Sequence, residues 1–159
     1  MKVSIICVGK IKEEFYRKAV AEYEKRLSRY CKLEIIEVPD EKTPDGASAL
    51  LEEQIKEKEG AKILRHLRED AYIYTLEIRG KELDSEKFAH QIEKQAVGGV
   101  SHIQFVIGGS LGLAPGVSRA ADEAMISGEP TPTMKKAGDN VLAGTIPSQG
   151  KLRMRAKQI

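Results

Sequence analysis

Four short apolar runs, residues 3–8, 33–38, 71–77 and 102–107, recur along the chain, each separated from the next by a segment of helical length. A short apolar run bounded by turn residues reads as a buried strand. After the first, Ile11, Phe15, Ala19, Tyr23, Leu27 and Tyr30 recur every three to four residues among Lys, Arg and Glu, which predicts an amphipathic helix over 11–30. Residues 39–46, from Pro39 to Gly46, form a loop by composition. A second helix is predicted over 48–67, carrying Leu51, Ile55, Ile63 and Leu67, with the charge run from Glu52 to Glu59 as its solvent face. Asp84 or Ser85 caps a third helix that ends near Val97 at Gly98-Gly99, with Leu83 placed as a staple. Pro115 opens a fourth, predicted to run to about Met125.

Strand and helix in alternation, with helix-length connections, imply an α/β domain with a parallel, twisted sheet and helices on both faces. Ligands in such sheets bind beyond the carboxyl ends of the strands. Two strand ends qualify. One is Thr75-Leu76-Glu77; the other enters Gly108-Gly109-Ser110-Leu111-Gly112-Leu113. Glycines without Cβ atoms let a ligand approach the backbone and its N–H groups. The pattern GGSLGL is neither GxGxxG nor a P-loop, so dinucleotide and ATP sites of those kinds are excluded.

Other chemistries lack their residues. His66, His90 and His102 are scattered, no His/Cys spacing fits zinc, and no GxSxG elbow occurs. The acidic loop at Asp40, Glu41 and Asp45 reads as solvated. Cys7 and Cys31 sit among apolar residues and are expected as small core side chains, not a disulfide framework. No apolar run approaches the roughly 20 residues of a membrane span, and the N-terminal run is too short for a secretory leader, so a cytoplasmic location is expected.

Charge divides the chain. Residues 1–125 carry a net −2 and all eight aromatic residues, whereas residues 126–159 carry a net +4, four of the 14 glycines and three of the six prolines. One 159-residue domain is expected, with 126–159 an atypical, disordered tail whose basic end could touch RNA phosphate.

The stretches VGKIKEEF, EYEKRLSRY, EIIEVPDEK, KEGAKIL, TLEIRGKELDSEKFA and FVIGGSLGL lie in register over about 125 of the 159 residues. In these the chain resembles the ribosomal RNA large subunit methyltransferase H family of the SPOUT methyltransferases. The resemblance implies a C-terminal trefoil knot, S-adenosylmethionine as cofactor, a homodimer, and methylation of a pseudouridine at ring N3 in 23S rRNA of the assembled ribosome. It implies neither a metal nor a membrane. It places Leu76, Gly108 and Gly109 at the cofactor, and Thr131 in the family's cofactor loop at 127–132.

The tail departs from that family. It has no histidine, no aromatic residue, no Glu-Gln pair and no Tyr-His-Lys terminus. A shift of reading frame beyond codon 125 is one expectation for so abrupt a change. The alternative to an active methyltransferase is a non-catalytic remnant or weak RNA-binding module with an incomplete cofactor pocket. An unrelated flavodoxin-like domain that binds a small ligand is a third reading. Without a covering helix, the body is expected to leave an apolar patch exposed.

Overall fold

The computed structural model describes residues 1–126. Nine elements follow in order: β1 (Lys2–Val8), α1 (Glu14–Leu27), β2 (Lys32–Val38), α2 (Ala49–Leu64), β3 (Tyr72–Lys81), α3 (Ser85–Val97), β4 (His102–Ile107), α4 (Pro115–Arg119) and β5 (Glu123–Met125). The strands form one sheet in the order β2-β1-β4-β3-β5. Every neighbouring pair is parallel. The sheet class and the four expected strands are therefore observed.

Local signals account for the helix ends. The Ser48 hydroxyl accepts from Leu51 N at 3.3 Å and opens α2. The Asp84 carboxylate accepts from Lys87 N at 2.8 Å and opens α3. At the far end of α3 the Gly98 and Gly99 amides close back on Lys94 and Ala96, and Gly99 takes φ +91°, a left-handed conformation that glycine adopts without strain.

Two layers of side chains hold the sheet. On one face Ile6, Val38, Ile73 and Val106 pack with Ile63 of α2, Ala114 and Val117. Each such burial contributes roughly 1.5–3 kcal/mol. On the other, Tyr74 stacks on Phe105 with centroids 5.3 Å apart, and Phe88 of α3 meets both rings edge-on. Tyr74 is fully buried, and burial pushes its hydroxyl up to about 12. Near the amino ends of the strands, Gln104 accepts from Arg68 N at 2.7 Å and donates to the His66 carbonyl at 3.0 Å, tying the chain beyond α2 to β4.

Two expected element ends are corrected. The helix from Pro115 stops at Arg119, and residues 123–125 form a strand. The Asp122 carboxylate accepts from Ile73 N at 2.7 Å while Asp122 N donates to the Ile73 carbonyl at 2.9 Å, and this two-point capture turns the chain onto β3. β3 itself continues to Lys81, because Ile126 N donates to the Lys81 carbonyl and Gly80 lets Met125 approach. A Cβ on Gly80 would lie 2.3 Å from the Met125 carbonyl oxygen.

The expected apolar face of α1 is not buried. Ala19 and Val20 are half-buried, whereas Phe15, Tyr23 and Tyr30 are 74%, 63% and 80% exposed. Helical period thus identified the helix but not a partner for its aromatic residues. Cys7 and Cys31 are free and half-buried rather than core residues. Both lie at the margin of the sheet layers, where Cys7 Sγ faces the Ile36 carbonyl and Cys31 Sγ the Leu27 carbonyl.

Candidate functional site

The carboxyl end of β4 lies beside the middle of β3. Leu76 is in register with Ile107, the last residue of β4, so Leu76 stands beside the entry to the turn at Gly108, and Met125 of β5 flanks Leu76 on the other side. Leu76 and Gly108 are both half-buried. The sequence placed them about thirty residues apart, and the parallel pairing brings them together. Gly109 continues the same turn. Thr131, and the loop 127–132 that contains it, lie outside the described residues.

The glycine turn is tight. Gly112 N donates to the Gly109 carbonyl at 3.0 Å, and Gly112 takes φ +83°. A Cβ at Gly108 would lie 2.7 Å from the backbone carbon and oxygen of Gly112. Residue 108 must therefore be glycine for the turn to close on itself. After the turn, Ala114 caps α4 and Val117 N donates to the Ala114 carbonyl.

Behind the turn stands Glu59 of α2, only 4% exposed. The charge run read as a solvent face therefore ends in a buried carboxylate. The helix turns Glu59 and Gly60 inward together with Ile55 and Ile63. Glu59 Oε1 accepts from Glu41 N at 2.9 Å. A Cβ at Gly109 would come within 2.8 Å of Glu59 Oε2 and 3.3 Å of its Cδ. Sequence reasoning missed this residue. The available signal was its place four residues after Ile55 and four before Ile63, on the apolar stripe itself.

The acidic loop is anchored rather than simply solvated. Lys62 Nζ donates to the Pro39 carbonyl at 2.9 Å and pairs with the Glu41 carboxylate, whose pKa the lysine holds below the usual carboxylate value. Glu59 and Lys62, one turn apart on α2, thus fix residues 39–41 beside the glycine turn.

Two open grooves, of about 590 and 650 Å³, lie elsewhere: one by Tyr30 and Lys32, the other by Leu83 and Gln91. Neither is lined by Leu76 or Gly108. Among the described residues no group of three or more His, Cys, Asp or Glu is placed to hold a metal ion. Among them, too, no helix is long and apolar enough to cross a membrane. His66, which lies in a charged helix face, is exposed, and so is His90.

Comparison with known proteins identifies the family. A family model described as "Predicted SPOUT methyltransferase" matches residues 1–133. The ribosomal RNA large subunit methyltransferase H of Bifidobacterium adolescentis is 56% identical over 122 residues, 77% of each chain. The protein of that name from Clostridium botulinum is 57% identical over 121 residues, 76% of each chain, and that from Limosilactobacillus reuteri is 51% identical over 122 residues, 77% of each. A second family model, the P-type ATPase actuator domain, matches residues 113–159. A tail read in a shifted frame has no reason to match another protein family, so the expectation of a frameshift fails on this finding.

Proposed function

This chain belongs to the ribosomal RNA large subunit methyltransferase H family of the SPOUT methyltransferases, and from that premise we propose that it methylates a pseudouridine at ring N3 in 23S rRNA of the assembled ribosome. S-adenosylmethionine, when bound, supplies an electrophilic methyl group on a sulfonium. The observation that carries the reading is the adjacency of Leu76 to the end of β4 that enters the turn at Gly108. The residues suit the cofactor. Gly108 and Gly109 add no side chain of their own to the turn, and Leu76 offers a half-buried apolar surface beside them.

Methyl transfer asks the protein chiefly for in-line placement of donor and acceptor. The turn supplies a fixed edge for that purpose. It is closed by the Gly112–Gly109 hydrogen bond and backed by Glu59 and Val8. Thr131 contributes from the loop at 127–132. The protein works as a homodimer in the cytoplasm, where its ribosomal substrate is. The exposed aromatic residues of α1 support the dimer, because a second copy would bury surface the monomer leaves in water. A single methyltransferase domain accounts for the span of the family match.

The tail favours a second reading. Residues 113–159 match a different family and lack the Tyr-His-Lys terminus of methyltransferase H proteins. On that reading the body is a remnant with an incomplete pocket. Calorimetric titration of S-adenosylmethionine into the 159-residue chain decides between the two. Saturable one-site binding that Gly108→Val abolishes supports the enzyme, and ribosome methylation assays then test the acceptor. A folded chain that binds no S-adenosylmethionine is the remnant.

A further inference from the structure

Glu59 is a buried carboxylate, 4% exposed, and among the described residues it forms no ion pair. Lys58 precedes it on the helix without pairing to it, and Lys62, one turn on, is engaged with Glu41 and the Pro39 carbonyl. One carboxylate oxygen of Glu59 accepts from Glu41 N at 2.9 Å. The other has no hydrogen-bond donor among the described residues and lies directly against Gly109, where only a missing Cβ makes room for it. Burying an ionised carboxylate is costly unless a positive charge or donors compensate it. A helix of this chain could satisfy the same packing with Leu or Gln. The carboxylate is placed instead behind the turn proposed to carry a cationic cofactor.

We infer that Glu59 is a charge-selecting positioning residue: its carboxylate acts through the Gly108–Gly109 turn to favour ligands that carry a positive charge at the sulfur position. The inference rests on the cofactor site proposed above. Opposite charges separated by one turn of backbone, away from bulk water, interact far more strongly than they do in solution. S-adenosylhomocysteine differs from S-adenosylmethionine in lacking that charge and the methyl group. The turn then discriminates substrate cofactor from spent cofactor, and release of product follows from loss of the charge itself.

The test measures dissociation constants of S-adenosylmethionine, sinefungin and S-adenosylhomocysteine for the full chain and for Glu59→Gln. Sinefungin carries a protonated amine where the sulfonium stands. The unmodified chain is expected to bind both charged ligands at least about tenfold more tightly than the neutral one. Glu59→Gln keeps an acceptor for Glu41 N and is expected to weaken the charged ligands about tenfold, leaving S-adenosylhomocysteine within about twofold. Equal weakening of all three ligands would show a merely structural role and overturn the inference, as would no change. The comparison within the unmodified chain stands even if the variant does not fold, and there a preference for the neutral ligand overturns it. If the unmodified chain binds none of the three, the cofactor site falls and the inference with it.

Discussion

Ser4 Oγ and His102 Nε2 lie 2.9 Å apart inside the sheet, joining β1 to β4 across 98 residues of chain. Both are buried, at 1% and 7% exposure. Burial, with Lys2 close by, depresses the imidazole pKa below its ordinary value. The folded state therefore holds His102 neutral where the unfolded chain would protonate it.

That difference sets the acid sensitivity of the fold. A histidine whose folded pKa is depressed contributes stability above its unfolded value of about 6.5, and the contribution is lost as pH falls below it. Glu34 and Glu41, held low by Lys2 and Lys62, add a second loss once pH drops through the carboxylate range. Thermal melts between pH 7.5 and 3.5 should show two successive declines. His102→Gln should flatten the first and leave the second. A first decline of unchanged size in the variant would assign it to other groups.

Gly60 and Ala114 lock α2 to α4. A Cβ on Gly60 would sit 2.7 Å from the Ala114 Cβ and 3.3 Å from a Val117 methyl. Gly60→Ala gains about 1 kcal/mol of helix propensity. It costs about 1–3 kcal/mol in overpacking against two buried side chains. The overpacking equals or exceeds the gain, so chemical denaturation should show a net loss of about 0–2 kcal/mol. A stabilised variant would mean the two helices separate freely.

Gly108→Val should open the glycine turn, since its Cβ meets backbone rather than a movable side chain. A stability loss of about 1–3 kcal/mol is expected, with at least tenfold weaker S-adenosylmethionine binding. Gly116→Ala is the control, because nothing stands within 4 Å of its Cβ position. Both quantities should stay near those of the unmodified chain in the control.

Thr75 is fully buried, and its hydroxyl has no hydrogen-bond partner among the described residues. An unpaired buried hydroxyl costs about 1–3 kcal/mol. Thr75→Val keeps the branched shape and should be neutral or raise the melting temperature by about 2–4 °C. A drop of several degrees would reveal a bond that the hydroxyl does make.

The four long strands were legible because a buried parallel strand is a continuous apolar run, and three of the four runs end at a turn residue: Gly9, Pro39 or Gly108. β5 was not. Three residues carry no period, and their strand state comes from Asp122 docking on Ile73 and from the space above Gly80. The site was half legible. Glycines at a strand end announce close backbone approach, but which strand end lies beside them is settled by pairing, as between Leu76 and Ile107. Glu59 was hidden by its neighbours. A glutamate among glutamates and lysines reads as surface, and only the turn packed above it makes it interior. Nor could periodicity tell that Phe15, Tyr23 and Tyr30 face outward, since an apolar stripe looks the same whether its partner is the chain itself or another molecule.

The middle of the sheet pairs Ile5 with Phe105. Those residues leave the translation machinery far apart in time: at about 5–20 residues per second, β1 waits roughly 5–20 s for β4 to be made. Meanwhile β1 and β2 have only each other, with one long edge of β1 unpaired. While residues 39–107 are made, the nascent chain thus has only an open two-stranded ribbon of this sheet. Chaperone dependence and yield at low temperature should be governed by that interval more than by the stability of the finished fold.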